Sequence, residues 1–143
     1  MKKIMIINGV NLNMLGIREK GVYGTLDYKG LCSYIADKCK DKDVELDFFQ
    51  SNCEGEIVTC LHNCYFNSYD GVVINPGAHT HYSYAIYDAI KAISPIPVVE
   101  VHISDIHSRE AFRQVSVTAS ACVAQICGKG YHGYVLAVEE LLK

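Results

Sequence analysis

The chain has 143 residues, of which 50% are hydrophobic and 20% are charged, and its formal net charge is −3. A length of this order suits one domain, and no apolar run approaches the roughly 20 residues that a membrane-spanning helix needs. The weakly acidic balance provides no basic surface for a nucleic-acid backbone, so we expect neither a membrane nor a nucleic acid as a partner.

The cysteine count and the N-terminal residues predict a cytoplasmic protein with free thiols. The seven cysteines cannot all pair, and the apolar stretch after Lys3 is shorter than the ~7–15 residues of a secretory signal. Cys60 and Cys64 are i, i+4 neighbours, which fits a buried helix face. A zinc site there would need a second pair of ligands at finger-like spacing, and the sequence has none.

Five short apolar segments predict β-strands. The predicted strands cover residues 3–8, 44–50, 71–75, 97–102 and 121–127. A glycine-punctuated stretch, about residues 9–24, follows the first strand, and its length is typical of a functional lid loop. The third strand stops at the turn-forming pair Pro76-Gly77.

Apolar residues at three- and four-residue spacing predict helices between the strands. One helix follows residues 51–54 and reaches about residue 65, and the other four cover residues 28–39, 83–93, 108–114 and 131–142. Thr25 or Asp27 is expected to cap the first helix, and Ser51 with Glu54 fits a capping box for the second.

Strands that alternate with helices form right-handed βαβ units and a parallel sheet. Five strands and five helices therefore predict an α/β protein with a flavodoxin-like, doubly wound, five-stranded parallel sheet and helices on both faces. No composition shift or internal repeat marks a boundary, so we expect a single domain over residues 1–143.

Polar side chains cluster directly after the first, third and fourth predicted strands, where ligands bind in open α/β sheets. Four of the six histidines and all three arginines lie in these segments: His79, His81, His102, His107, Arg18, Arg109 and Arg113. Arginine is used where a planar anion is held by two parallel hydrogen bonds, so this clustering indicates a site for an anionic ligand.

The sequence argues against a nucleotide site and against a metal site. Gly128, Gly130 and Gly133 form a G-x-G-x-x-G pattern, but the dinucleotide fingerprint requires a further strand and an acidic residue about 20 positions on. Those glycines therefore predict close packing of a strand against a helix. His79 and His81 would supply only two metal ligands, and His81 is expected to cap the next helix or contact a substrate. We expect no metal and no cofactor.

Tyrosine and histidine near strand ends suggest proton transfer. A nearby arginine favours the ionised form of a tyrosine, which would make Tyr23 a general base. His102 would be the complementary acid, oriented by Glu100 on the same face of its strand. Such a pair suits β-elimination of water, although Tyr23 alone also fits a surface loop and His102 a buried core histidine. Arg109 and Arg113 likewise fit an exposed helix face.

Three long blocks and the C-terminal end together resemble type II 3-dehydroquinate dehydratase. The blocks are residues 8–19 with Tyr23-Gly24, residues 75–83, residues 100–110 with Phe112-Arg113, and residues 128–137. The resemblance spans almost the whole chain. It implies a hydro-lyase of the shikimate pathway, which leads to chorismate and the aromatic amino acids, and anti elimination of water from 3-dehydroquinate through an enolate.

The resemblance also implies the catalytic roles. Tyr23 corresponds to the base that removes the C2 proton, and Arg18 to the group that lowers the pKa of that tyrosine. His102 corresponds to the acid that protonates the departing C1 hydroxyl, supported by Glu100. Asn11 corresponds to the residue that positions the water or the enol oxygen.

Substrate-binding positions of the family fall on five residues of this chain: Asn75, His81, Ile103, Ser104 and Arg113. The backbone N–H groups of Ile103 and Ser104 would hold the substrate carboxylate. Asp88 matches a family residue that reaches the site of a neighbouring subunit. The resemblance therefore implies a role for Asp88 other than that of a solvated charge on a helix. The resemblance further implies a homododecamer, built as a tetramer of trimers, and no Schiff-base lysine.

Two departures from the family pattern lie in the loop, because Val10 and Lys20 stand where the family usually has proline. They would loosen the lid without removing a catalytic group. A non-catalytic, flavin- or nucleotide-binding flavodoxin-like module is the alternative function, and a degenerate family member kept only for assembly is a third.

Overall fold

The computed structural model describes residues 1–17 and 26–143. Its five strands are β1 (Lys2–Asn8), β2 (Val44–Gln50), β3 (Gly71–Asn75), β4 (Val98–His102) and β5 (Ala124–Cys127). All pair in parallel, in the order β2-β1-β3-β4-β5. The flavodoxin-like doubly wound α/β fold predicted from the sequence is confirmed.

The α-helices in the described ranges are α1 (Tyr28–Cys39), α2 (Glu54–Phe66), α3 (Tyr84–Ala92) and α4 (His132–Leu141). Strand β1 shows how both faces of the sheet are covered: Ile4 and Ile6 join the core under α1 and α4, whereas Ile7 joins the core under α2 and α3. This alternation follows from the period of two along a strand. Within the described ranges, no helix has the length and apolar character needed to cross a membrane.

Two helix caps are formed by short polar side chains. The Asp27 carboxylate accepts a hydrogen bond from the Gly30 N–H at 2.7 Å, which confirms one of the two predicted caps of α1. Thr25, the other, lies outside the described residues. Helix α3 is capped by the Ser83 hydroxyl, which accepts from the Ile86 N–H at 3.0 Å, so His81 is not the cap.

The predicted capping box of α2 is wrong. The helix begins at Glu54, after Cys53, whose side chain makes no capping bond. The Ser51 hydroxyl instead accepts from the Cys53 N–H at 2.9 Å and donates to Glu56. The Glu54 carboxylate accepts from the Ser83 hydroxyl of the neighbouring helix start. The bond between Glu54 and Ser83, which joins two helices, has therefore replaced the predicted bond between Ser51 and Glu54.

The segment between β4 and β5 also differs from its prediction. No α-helix forms over residues 108–114, and β5 begins at residue 124 rather than 121. Three short 3-10 turns replace them, at Ile106–Ser108, Ala111–Arg113 and Ala119–Ala121. The segment is held across the sheet end by tertiary bonds such as Val117 N–H to the Thr80 carbonyl at 2.7 Å, which override its helical spacing.

Burial and glycine packing agree with the sequence in two further places. Cys60 and Cys64 are 7% and 0% exposed, which confirms the buried helix face. A Cβ at Gly133 would lie 3.1 Å from the Val101 side chain, which confirms close packing of α4 on β4. The N–H groups of Gly128 and Gly130 donate to backbone carbonyls, so they are not directed at a phosphate.

The loops after β1 and β3 touch through their backbones. The Gly9 N–H donates to the Asn75 carbonyl at 2.8 Å, and a Cβ at Gly9 would lie 2.4 Å from the Pro76 carbonyl oxygen. Gly77 has φ +65, and its Cβ would lie 2.6 Å from the Val10 carbonyl oxygen. Only glycine permits this approach.

Gly9→Ala is expected to force the two loops apart. An overpacked site of this kind costs roughly 1–3 kcal/mol, so the free energy of unfolding should fall by that amount at fixed protein concentration. Gly55→Ala is the matched control, since the nearest atom to its Cβ would be the Cys53 sulfur at 3.9 Å. Denaturant unfolding measures both, and a Gly9→Ala protein as stable as Gly55→Ala would contradict the close approach.

Candidate active site

A cavity of about 90 Å³ opens at the carboxyl ends of the central strands, between the loops that follow β1, β3 and β4. This is the switch point of the doubly wound sheet, where such folds bind ligands. Seven of the residues predicted for the site line this cavity: Asn11, Asn75, His81, His102, Ile103, Ser104 and Arg113.

The other predicted site residues lie elsewhere. Glu100 is behind His102, in the sheet, and does not line the cavity. Asp88 is on the exposed side of α3 and does not line the cavity of its own chain. Tyr23 and Arg18 lie outside the described residues.

Arg109 lines the cavity, although its sequence pattern predicted no separate role for it. Its side chain is only 13% exposed, and Nη1 lies 3.5 Å from the Ser104 Oγ. The predicted helix would have placed Arg109 and Arg113 on a solvent face. The 3-10 turns observed instead direct both toward the cavity, so the clustering of arginines was the signal that could have identified Arg109.

Glu100 and His102 form a buried pair at the end of β4. His102 Nε2 lies 2.8 Å from Glu100 Oε2, and the two residues are 5% and 0% exposed. They are two positions apart on one strand, so they share a face of the sheet. Within the described ranges the other ring nitrogen, Nδ1, has no hydrogen-bond partner, and His102 lines the cavity.

The Glu100 carboxyl is ionised despite its burial. Burial by itself raises its pKa, but hydrogen bonds and the charge of His102, together with bonds from Thr118 and Gln125, outweigh this and lower the pKa to about 2. An anion buried in this way is stable only when its lone pairs are occupied by donors. The cavity therefore has a fixed negative charge directly behind its histidine.

A second buried chain of hydrogen bonds orients Asn75. Its amide Nδ2 donates to the Tyr134 hydroxyl at 2.8 Å, and that hydroxyl donates to Asn8 Oδ1 at 2.6 Å. The Asn75 Oδ1 accepts from the Gly77 N–H at 3.1 Å. These bonds define which end of the amide is oxygen and which is nitrogen.

His81 and Arg113 approach the cavity from the segments after β3 and β4. The His81 Nδ1 lies 2.7 Å from the Val115 carbonyl, so this nitrogen carries the proton and Nε2 is the atom that can contact a ligand. Arg113 donates through Nε to Glu110 at 3.0 Å, and its guanidinium carbon lies 4.6 Å from the ring centroid of Phe112. Both side chains are thereby held in place.

Two backbone donors in the cavity wall are unused. Within the described ranges, neither the Ile103 N–H nor the Ser104 N–H donates a hydrogen bond. Their carbonyls do accept, from Gly130 and Gly128 at 3.1 Å each. The glycine turn thus holds the peptide by its oxygens and leaves adjacent N–H groups for an anion such as a carboxylate.

Residues 1–17 and 26–143 contain no group of three or more His, Cys, Asp or Glu arranged to hold a metal ion. His79 is 8% exposed and its Nδ1 has no partner there, whereas His81 is engaged with Val115.

The fold and the cavity together define a doubly wound α/β protein with a polar cavity at the switch point of its sheet. The sequence model of the family described as Dehydroquinase class II matches residues 2–142. The chain belongs to the class II dehydroquinase family, and it is an enzyme of that type.

Relatives of high identity cover nearly the whole chain. A protein named 3-dehydroquinate dehydratase from Clostridium beijerinckii is 58% identical over 139 residues, which is 97% of this chain and 94% of that protein. One of the same name from Fusobacterium nucleatum is 59% identical and covers 99% of this chain and 97% of its own length. The crystal structure of the type II dehydroquinase from Butyrivibrio crossotus has a TM-score of 0.98 at 51% identity, covering 99% of this chain and 98% of its own.

Glu100 also makes the folded state sensitive to acid. Its folded pKa of about 2 lies below the ordinary value of 4.5. The ionised carboxyl therefore contributes its full stabilisation at pH values above the ordinary pKa. This stabilisation is lost as the pH falls through the pKa of the folded state. The loss from this group alone should be on the order of 3 kcal/mol. Denaturant unfolding over a pH series should show this loss in the wild type.

Glu100→Gln should lack that part of the acid response, whereas Glu45→Gln, on an exposed strand position, should retain it. Both variants replace a carboxyl by an amide of the same shape, so they differ only in location. An acid response of Glu100→Gln equal to that of the wild type would show that the buried carboxyl is not ionised in the folded state.

Proposed function

We propose that this chain converts 3-dehydroquinate to 3-dehydroshikimate and water by anti elimination through an enolate, in the cytoplasmic shikimate pathway. The observation that carries the proposal is the Glu100–His102 pair at 2.8 Å, set at the end of a cavity whose wall presents two N–H groups that donate to no other described residue. Relatives named 3-dehydroquinate dehydratase support the substrate.

The acid half of the reaction belongs to His102. The departing hydroxyl needs a proton, and an imidazole in hydrogen-bond reach of the cavity is suited to supply one. An ionised Glu100 at its Nε2 holds the ring in one orientation and stabilises the charged imidazolium before transfer. In this arrangement the opposite nitrogen, Nδ1, delivers the proton to the leaving oxygen.

The base half belongs to Tyr23, with Arg18 as the residue that favours its ionised form. Both lie outside the described residues and are assigned from the family resemblance. Leu15, three residues before Arg18 in the sequence, lines the cavity. Asn11 lines it too and would hold the water or the enol oxygen between base and acid.

The substrate carboxylate would bind at the Ile103 and Ser104 N–H groups. Two charge-neutral donors side by side match the geometry of a carboxylate. Asn75, His81 and Arg113 surround the rest of the cavity and would contact the hydroxyl groups of the ring.

A homododecamer, arranged as a tetramer of trimers, would complete the site with Asp88 of a neighbouring subunit. The exposed position of Asp88 on α3 supports this, as do the exposed rings of Tyr82 and Tyr84, a few residues before it in the sequence. The seven cysteines are unpaired, which supports the cytoplasmic assignment.

Tyr23→Phe should nearly abolish dehydration, because it removes the group that accepts the C2 proton. The appearance of the conjugated product absorbance from 3-dehydroquinate, with a chelator present, measures turnover. Tyr65→Phe is the matched control on the exposed side of α2 and should keep wild-type rates. Failure of the wild type to turn over would refute the proposed activity, and an active Tyr23→Phe would remove Tyr23 from its role.

His102→Gln should lower kcat roughly 10²–10⁴-fold with a smaller change in KM, since general acid catalysis contributes on that scale. His62→Gln, on the exposed side of α2, is the control. If His102→Gln raised only KM, the imidazole would be a binding group and the acid would have to be another residue.

A further inference from the structure

The carboxylate of Glu100 is surrounded by donors that the reaction itself does not use. Besides His102, three neutral side chains donate to it, and we call them the Glu100 cage: Ser116, Thr118 and Gln125. They come from the crossing segment after β4 and from β5. Their arrangement bears on how the acid is prepared for its task.

One carboxylate oxygen carries most of the contacts. Glu100 Oε2 accepts from His102 at 2.8 Å, from the Ser116 hydroxyl at 2.8 Å and from the Gln125 amide at 2.9 Å. Gln125 is the direct register partner of Glu100 in the β4–β5 ladder, so both side chains project from the same face. The amide is therefore supplied by the sheet rather than by a loop.

The other oxygen is held by Thr118. Its hydroxyl donates to Glu100 Oε1, and the residue is 0% exposed. The Thr80 Oγ1 lies 2.7 Å from both the Ser116 and the Thr118 hydroxyl oxygens. Because the Ser116 and Thr118 protons are directed at the carboxylate, the single Thr80 hydroxyl proton is donated to one of these two oxygens.

The neutrality of the cage is what makes it useful. Hydrogen bonds from hydroxyl and amide groups stabilise an anion without adding positive charge. A lysine or arginine in the same place would compensate the carboxylate and weaken its attraction for a protonated imidazole. The cage keeps Glu100 ionised while leaving its charge directed at His102.

We propose that Thr118 and Gln125 are positioning residues for the proton donor, which hold Glu100 as a carboxylate in the orientation that His102 requires. This inference rests on the proposed function, since the cage acts on the reaction only through His102. Ser116 shares the role, but its hydroxyl also accepts from the Ala119 N–H at 3.1 Å, so replacing it would disturb the backbone as well.

Two thiols near the pair do not change charge over the range of the test. Burial, followed by the charge of Glu100, raises the pKa of Cys122 to about 12 and that of Cys127 to about 11, so both remain thiols. The other titratable side chains near the pair are common to all variants compared: Asp105, which lies near Cys127, and His81, Arg109 and Arg113, which line the cavity.

The test is the pH dependence of kcat/KM for 3-dehydroquinate in a double variant, Thr118→Val with Gln125→Met. Each change keeps the approximate volume and removes a donor. Losing two bonds to a charged group should raise the pKa of Glu100 by roughly two to four units. The kcat/KM of the double variant should then fall about tenfold per pH unit below the raised pKa of Glu100. In the same pH range the wild type should lose no activity through protonation of Glu100.

The single variant Thr118→Ser keeps a hydroxyl at this position. Its kcat/KM at low pH should therefore stay close to that of the wild type. Thr59→Val, on the exposed side of α2, is the matched control and should leave the profile unchanged. Gln125→Met alone should give an intermediate shift, which keeps the test available if the double variant does not fold.

A uniform loss of activity at every pH, or an unchanged acid limb in folded variants, would overturn the inference and leave the cage a purely structural cluster. If the wild type does not dehydrate 3-dehydroquinate, the proposed function fails instead. Denaturant unfolding over a pH series then tests the Glu100 cage without the reaction. If Gln125 keeps Glu100 ionised, Gln125→Met should move the acid-induced loss of stability to higher pH. An unchanged pH dependence of stability would overturn the inference.

Discussion

The structure depends on keeping one carboxylate ionised where water does not reach it. Glu100 has no exposed surface, and an unpaired charge in that position would destabilise the fold by several kcal/mol. Four side chains resolve this, and they come from three places along the chain: the end of β4, the segment that follows it, and β5. The segment after β4 must cross the end of the sheet, because its two hydroxyls have to reach Glu100. The bond to the same carboxylate also orients the ring of His102.

The rest of the cavity is built by backbone groups that glycines make available. The loops after β1 and β3 meet through Gly9 and Gly77, which brings Asn11 and Asn75 to one wall. Directly after His102, a turn with two positive-φ glycines occupies the Ile103 and Ser104 carbonyls, whose N–H groups donate no hydrogen bond within the described residues. The cavity thus combines an anion behind His102 with N–H donors for a bound anion in its wall.

Short apolar runs were sufficient to predict the sheet. Strands β2 and β3 and helix α1 have the predicted bounds, and α3 and α4 differ by one residue at each end, because a buried parallel strand or an amphipathic helix is encoded locally. Local signals failed where distant groups compete. Ser51 and Glu54 look like a capping box but bond elsewhere, and residues 108–114 have helical spacing but are held by the sheet end. Seven site residues reach one cavity, whereas the cage around Glu100 was not predicted, since its pairing with Gln125 depends on a strand register that the sequence does not reveal.

Infrared difference spectroscopy on the carboxyl of Glu100 tests the central claim most directly. The spectrum of the folded wild type minus that of Glu100→Gln isolates this one group. At mildly acidic pH, near the ordinary glutamate pKa of 4.5, Glu100 should show carboxylate bands and no protonated carboxyl stretch. A protonated carboxyl band from Glu100 under those conditions would contradict it, because the charge that orients His102 would then be absent.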